Sequence, residues 1–233
     1  MIRAVVFDVG ETLVDETTEY GTWADWLDVP RHTFSAVFGA VIAMGKDYRE
    51  VFQHFQPGFD LDSERKRRAE AGKPETFGED DLYPDARPCM KALRDMGIWV
   101  GVVGNQTTRA GDILRELKLP ADMIATSEDL GVSKPDARFF QAVIDAAPCS
   151  ASEIACVGDR LDNDLKPARL AGMRTVFVRR GPWGHIWKDQ PDLAASADWR
   201  VTSLAEIPAL IGPGHLPATA PGHQPGDPGG LMG

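Results

Sequence analysis

The most informative stretch of this sequence is IRAVVFDVGETL, residues 2–13. Its apolar run, residues 4–7, is rich in β-branched side chains, which is typical of a strand buried on both faces of a parallel sheet. The run ends at Asp8, and Gly10 follows two residues later. Open α/β sheets bind their ligands at the carboxyl ends of such strands. The stretch therefore predicts an acidic ligand-site residue, with a simple turn-capping role for Asp8 as the alternative.

Strands and helices alternate along most of the remaining chain. Further apolar strand patterns occur at residues 98–103, 123–125, 154–157, 175–178 and 199–201, and amphipathic helix patterns separate them. Such alternation indicates a parallel sheet with helices on both faces. We therefore expect an α/β fold with a doubly wound parallel sheet.

The segment between the first strand and residue 82 has a different character. It is rich in aromatic residues, and apolar side chains recur at helical spacing over residues 34–42, so three or four helices are expected, one of them starting at Thr33 or Ser35. The charged run 64–68 is interpreted as a solvated helix face, with anion binding as the less favoured alternative. This segment is interpreted as an insertion into the fold.

These patterns divide the chain into three parts. The core comprises residues 1–14 and 83–211, and the helical insertion comprises residues 15–82. Residues 212–233 are dominated by proline and glycine and have almost nothing to bury, so they are expected to be a disordered tail.

Composition excludes several classes of function. The net charge of −10 over 233 residues argues against a nucleic-acid partner, yet it permits a pocket for a small anionic substrate. The three cysteines have no CxxC spacing, so neither a disulfide framework nor a zinc site is expected. No apolar run is long enough for a membrane span, and no signal-peptide pattern is visible at the N-terminus. A cytoplasmic location is therefore expected, whereas the oligomeric state is not indicated.

Polar residues follow three of the predicted strands. Because the carboxyl ends of parallel strands meet at one edge of a sheet, these groups are expected to share a crevice. Three clustered carboxylates repel one another unless a cation lies between them, and oxygen ligands suit Mg²⁺ above all. The residues concerned are Asp8, Gly104, Asn105, Asp159 and, from neighbouring loops, Lys134 and Asp164.

In these motifs the chain resembles the haloacid dehalogenase superfamily of hydrolases. The resemblance rests on residues 8–13 after the first strand, 104–105 after the second, Lys134 with Pro135, and the acidic loop 158–164, and it covers about 200 residues in the expected order. It implies a Rossmann-like core, a helical cap inserted after the first motif, a bound Mg²⁺ and a nucleophilic aspartate.

The resemblance also implies a role for each matching residue. Asp8 would attack phosphorus and form an aspartyl-phosphate that water then hydrolyses. Mg²⁺ would be held by Asp8, the backbone carbonyl of Gly10 and Asp159, with Asp164 binding it directly or through water. Lys134 would neutralise charge that develops on the phosphoryl group.

Two positions depart from the family pattern. Gly10 stands where the family's phosphatases have a second aspartate, which protonates the leaving group and then activates water. Gly104 stands where the family has a serine or threonine hydroxyl, so only the backbone of Gly104 and Asn105 remains there to bind the substrate. Glu11 and His185 are the two candidates from the sequence for the missing acid and base, and solvent is the third.

Three functional hypotheses follow. The favoured one is a Mg²⁺-dependent phosphatase for a small phosphorylated metabolite, weakened by the two glycines. A non-catalytic protein that binds a ligand or partner is the second. A carbon–halogen or related C–X hydrolase is the third: it would not need the second aspartate, but such relatives tend to lack the acidic loop that this chain retains.

Overall fold

The computed structural model describes residues 1–212, and the expected tail lies outside the described residues except for Gly212. Within this part of the chain the sheet consists of six strands: β1 (Ala4–Phe7), β2 (Trp99–Gly104), β3 (Met123–Thr126), β4 (Ile154–Gly158), β5 (Arg174–Val178) and β6 (Trp199–Val201). All pair in parallel, in the order β3-β2-β1-β4-β5-β6. The predicted α/β fold is confirmed.

Strand β1 lies at the centre of the sheet and is covered on both faces. Val5 and Phe7 pack into one hydrophobic cluster, and Ala4 and Val6 pack into a second one on the other face. All four side chains are essentially inaccessible to solvent. This burial explains why the sequence of the strand is an unbroken run of apolar residues.

Helices lie between successive strands along the chain and after the last one. In chain order they are α1 (Thr17–Trp26), α2 (Arg31–Ala43), α3 (Glu50–Phe55), α4 (Leu61–Glu70), α5 (Ala86–Asp95), α6 (Thr108–Glu116), α7 (Ser127–Leu130), α8 (Ala137–Ala146), α9 (Lys166–Leu170), α10 (Gly181–Trp187), α11 (Pro191–Ser196) and α12 (Ile207–Ile211). Short 3₁₀ turns lie at Glu79–Asp81, Ala151–Glu153 and Leu204–Glu206, and a π-helical turn, Leu161–Leu165, precedes α9.

Capping residues set several of these helix ends. The Thr107 hydroxyl accepts a hydrogen bond from the Ala110 amide at 3.1 Å at the start of α6. Asp136 caps α8 through the Arg138 amide. Gly97 follows α5 with a φ of +75°, a conformation that glycine adopts without steric cost.

Helices α1 to α4 form an aromatic cluster of their own. Its members are mainly large rings that pack edge-to-face or stacked, among them Phe52 on Phe59 with ring centroids 4.5 Å apart. Trp183 of α10 also joins this cluster and meets Phe38 at 5.4 Å. The segment that precedes α5 thus has a hydrophobic core separate from the two clusters on the sheet.

Two predictions about this segment were wrong in detail. Helix α2 begins at Arg31, two residues before Thr33, because Pro30 immediately before it has the extended conformation that ends the preceding turn. The run 64–68 is not a uniformly solvated face, since Glu64 and Arg68 are buried. Charge along a helix identifies neither the face that packs nor the partners that make burial tolerable.

The segment that follows β5 is helical. Residues from Gly181 onward form α10, which buries Trp183 under the aromatic cluster and leaves His185 exposed. The three cysteines are free thiols, of which Cys89 and Cys156 are buried. Among residues 1–212, no helix combines the length and the apolar character that a membrane crossing requires.

The buried Arg68 allows a direct test of this correction. Its guanidinium lies 4.0 Å from the Trp23 ring centroid, donates to the Thr22 hydroxyl at 2.8 Å and pairs with Glu19 at 3.6 Å. We expect Arg68→Ala to lower the free energy of unfolding by about 3 kcal/mol, because it removes a buried side chain that packs on Trp23 and leaves the half-buried Glu19 carboxylate without its cation. Lys66→Ala, at an exposed position of the same helix, should change it by less than about 0.5 kcal/mol. Urea denaturation measures both, and equal effects would contradict the burial of Arg68.

Candidate functional site

The central strands of the sheet bring three sequence-predicted residues to one edge. Asp8 follows β1, Asn105 follows β2 and Asp159 follows β4. Phe7 is in register with Val102 on one side and Val157 on the other, so these strand ends lie level with one another. Strand order reverses at β1, which is where open α/β sheets form a ligand crevice.

Three carboxylates meet at this edge. One oxygen each from Asp8, Asp159 and Asp164 lies within 4.8 Å of the others. Asp164 comes from the π-helical turn after β4, and its Oδ2 accepts a hydrogen bond from the Arg160 amide at 3.2 Å. The local turn therefore folds Asp164 back beside Asp159.

Lys134 lies within this acidic cluster. Its Nζ donates to Asp8 Oδ1 at 2.5 Å and to Asp164 Oδ1 at 2.7 Å, and its side chain is 2 % exposed. Burial alone would lower the pKa of Lys134, but the carboxylates of Asp164 and Asp8 outweigh burial and raise it. The lysine is therefore a fixed positive charge in the site.

The pKa values of Asp159 and Asp164 are raised as well, which for a carboxyl group disfavours the charged form. Burial, reinforced by Asp164 and Asp8, raises the pKa of Asp159 well above its usual range. Burial also raises the pKa of Asp164 to about 6, although Lys134 opposes the shift. The site thus holds more negative charge than a single lysine neutralises.

An oxygen of Asp159 shows what the cluster lacks. Asp159 Oδ2 is buried and has no hydrogen-bond partner within residues 1–212. A buried carboxylate oxygen without a partner is costly unless a ligand completes it. Three carboxylates that share a space of a few ångströms, all with hard oxygen donors, fit a Mg²⁺ ion. The donor set therefore agrees with the metal that the sequence predicted.

The structure separates the other two predicted residues. Asn105 holds Lys134 in place: its amide nitrogen donates to the Lys134 carbonyl at 2.9 Å, and its amide oxygen accepts from the Lys134 amide at 2.8 Å. Gly104 is buried against Val9, whose Cγ2 would lie 3.0 Å from a Cβ at position 104. Asn105 lines the cavity described next, and Gly104 is not among the described residues that line it.

A cavity of about 760 Å³ opens above the acidic cluster. Its floor consists of Asp8, Asp159 and Asp164 with Lys134, and helices α3 and α4 with their preceding loop contribute the opposite wall. That wall and the adjacent loops carry several cationic side chains, namely Lys46, Arg49, Arg65 and Arg160. The same wall also carries Asp47, Asp60 and Asp62, so the lining beyond the acidic cluster holds charges of both signs.

The two candidates for the missing acid and base do not reach this cavity. Glu11 is buried, accepts a hydrogen bond from the Tyr83 hydroxyl at 2.6 Å and has its pKa raised by burial. His185 is exposed on α10, and neither residue is among the described residues that line the cavity.

Glu16, which the sequence did not single out, does line the cavity. Burial raises the pKa of Glu16 well above its usual range, and the carboxylates of Glu11 and Asp8 add to the effect. No sequence pattern marks this residue, since it is one of several acids in the turn before α1.

Comparisons with known proteins agree with this arrangement. Residues 2–172 match the family described as haloacid dehalogenase-like hydrolase. A glyceraldehyde 3-phosphate phosphatase of Methanocaldococcus jannaschii is 33% identical over 132 residues, 55% of this chain, and the match spans about half the length of that relative, 56%. A phosphatase of the same name from Pyrococcus furiosus is 27% identical over 88% of this chain and 91% of its own length.

Solved structures share the fold. A crystal structure of the HAD hydrolase YfnB from Bacillus subtilis bound to magnesium covers 90% of this chain and 98% of its own, with a TM-score of 0.66 and 21% identity. At this identity the likeness concerns the architecture alone.

The unpartnered Asp159 oxygen leads to a prediction about metal binding. Mg²⁺ at a hundredfold excess over its dissociation constant should stabilise the protein by about 2.7 kcal/mol, which raises Tm by roughly 5–10 °C for a chain of this size. Asp159→Asn should remove most of that shift, because a neutral amide is a poor ligand for a hard cation.

Asp162→Asn is the matched control, since Asp162 lies in the same loop but is half exposed and pairs with Arg160. It should retain the shift caused by Mg²⁺ in a thermal denaturation experiment. An equal loss of the shift in both variants would contradict a specific site at Asp159.

Proposed function

Because this chain belongs to the haloacid dehalogenase-like hydrolase family, we propose that it is a Mg²⁺-dependent phosphatase that hydrolyses a small phosphorylated metabolite through an aspartyl-phosphate on Asp8. The observation that carries this proposal is the contact between Lys134 and the carboxylates of Asp8 and Asp164 in a cavity that a small molecule could enter. Phosphatase names among the relatives support the same class of substrate.

Asp8 is the proposed nucleophile because of its position. It is the one member of the acidic cluster with appreciable exposure, 14 % of its side chain, and it faces the cavity. The Lys134 ammonium on Oδ1 keeps that oxygen oriented and leaves Oδ2 for attack on phosphorus. The P–O bond to the leaving group then breaks, and water later cleaves the aspartyl-phosphate to return the Asp8 carboxylate and release phosphate.

Asp8, Asp159, Asp164 and the backbone carbonyl of Gly10 are the proposed ligands of Mg²⁺. When bound, the ion would supply charge stabilisation for the phosphoryl oxygens. The chain's own contribution is Lys134, which is held by Asn105 and offsets the negative charge that develops on the phosphoryl group. Asn105 is thus proposed to act through Lys134, and we propose no role in substrate binding for the side-chain-free Gly104.

Residues 15–82 are proposed to be a cap domain over a core of residues 1–14 and 83–211. Support comes from the separate aromatic cluster of α1 to α4 and from the position of their loops across the cavity from Asp8. Arg65 of the run 64–68 lines the cavity with Lys46 and Arg49, and these cations are the proposed contacts on that wall for an anionic small molecule. The cytoplasmic location and the absence of a nucleic-acid partner stay predictions.

The proposal is tested by hydrolysis of an activated aryl phosphate such as p-nitrophenyl phosphate. This substrate has a good leaving group, so it depends least on proton donation at position 10. We expect turnover that needs Mg²⁺ and that falls by at least roughly a thousandfold in Asp8→Asn, because the amide is a poor nucleophile. Asp189→Asn, at an exposed position outside the cavity lining, is the control and should retain activity.

The alternatives make different predictions in the same assay. A non-catalytic binding protein would show no turnover above Asp8→Asn although folded, and that result would overturn the proposal. A C–X hydrolase would release halide from a 2-haloacid, again through Asp8, but would leave the aryl phosphate intact.

A further inference from the structure

Gly10 leaves a space in the cavity that another side chain fills. A Cβ built at position 10 would lie 2.5 Å from Glu16 Oε1, 2.7 Å from Glu16 Cδ and 3.1 Å from Glu16 Oε2. These distances are too short for both groups to be present without movement. The Glu16 carboxyl therefore occupies the place into which a side chain at position 10 would extend.

From this exchange of positions we infer that Glu16 performs the proton transfers that glycine at position 10 cannot, and so serves as the general acid and base of the phosphatase reaction. The inference rests on the proposed function. It adds a catalytic residue that neither the motif pattern of the sequence nor its spacing identifies.

The backbone around Glu16 holds its carboxyl at the cavity. After Asp8 the chain turns back on itself, with the Glu11 amide donating to the Val14 carbonyl at 2.7 Å and the Val14 amide donating to the Val9 carbonyl at 3.0 Å. The Glu16 amide then donates to Glu11 Oε1 at 3.3 Å. The turn therefore brings residue 16 beside residue 10, and the hydrogen bond to the buried Glu11 side chain holds the backbone of residue 16 there.

The Glu16 carboxyl has no structural partner. It forms neither an ion pair nor a side-chain hydrogen bond with any residue in the described part of the chain. Glu19, three residues after Glu16, differs because it pairs with Arg68. Glu16 and Gly10 both line the cavity that Asp8 and Lys134 line. A carboxyl without a partner, beside the proposed nucleophile, is free to contact a substrate.

In the proposed reaction the Glu16 carboxyl gives up one proton and later takes one back. In the first step a lone pair of Asp8 forms a bond to phosphorus, the bond from phosphorus to the leaving-group oxygen breaks, and protonated Glu16 gives its proton to that oxygen, so an alcohol leaves. In the second step the Glu16 carboxylate takes a proton from water while the water oxygen bonds to phosphorus. The bond from phosphorus to Asp8 breaks, which releases phosphate and returns both carboxyls to their starting states.

The decisive variant is Glu16→Gln, which preserves shape and removes the ability to transfer a proton. With an alkyl phosphate, whose leaving group needs a proton, kcat/KM should fall by roughly 10²–10⁴-fold, the usual contribution of general acid–base catalysis. With p-nitrophenyl phosphate the first step should be nearly unaffected and the second should slow. Rapid mixing should therefore show a stoichiometric burst of p-nitrophenol followed by slow turnover.

A second variant distinguishes a catalytic role of Glu16 from a purely structural one. Gly10→Asp combined with Glu16→Ala transfers the carboxyl to position 10, where the backbone has no positive φ that would disfavour a side chain. This double variant should recover most of the activity on the alkyl phosphate that Glu16→Ala loses, whereas Gly10→Asp alone should be impaired by the clash with Glu16. Glu70→Gln, exposed on α4, is the control.

The outcomes separate this inference from the proposed function. Unchanged kinetics in Glu16→Gln, or an equal loss on both substrates with no burst and no recovery in the double variant, would overturn the role of Glu16 while leaving the phosphatase proposal intact. Absence of turnover in the unaltered protein with both substrates would overturn the phosphatase proposal and the role of Glu16 together.

Discussion

The ammonium group of Lys134 is the interaction on which the candidate site depends. It lies between Asp8 and Asp164 in an environment with almost no access to solvent, where either carboxylate alone would be costly to bury. Its position is set by the side-chain amide of Asn105, which donates to the Lys134 carbonyl and accepts from the Lys134 amide. Lys134 thereby connects the ends of β1 and β2 with the π-helical turn after β4.

This lysine does not neutralise the whole cluster. Asp159 retains a buried oxygen without a partner, and its pKa is raised by burial and by the neighbouring acids. The protein alone therefore has an uncompensated negative charge at the bottom of the cavity, which is the condition for binding a divalent cation. The rest of the cavity lining carries charges of both signs, with Lys46, Arg49 and Arg65 close in sequence to Asp47, Asp60 and Asp62.

The segment of α1 to α4 shows how the fold combines rigidity with an open site. Its aromatic cluster gives these helices an apolar core independent of the sheet, and Trp183 of α10 connects that core to the rest of the molecule. Arg160, in the acidic loop, also lies 4.5 Å from the Trp183 ring, so the loop and the helical segment contact the same side chain. Trp183 therefore packs against both the helical segment and the acidic loop.

The sequence alone determined the sheet, because each strand is a short apolar run between turn residues, and buried parallel strands tolerate little else. It also identified the acids and the lysine of the candidate site, since strand ends in one sheet must converge. Tertiary structure decided what local pattern does not encode: that Arg68 of a charged run is buried against Trp23, and that Glu11 is bound to Tyr83. It also placed the Glu16 carboxyl in the space beside Gly10. A turn brings those two residues together, and no periodic sequence pattern predicts that contact.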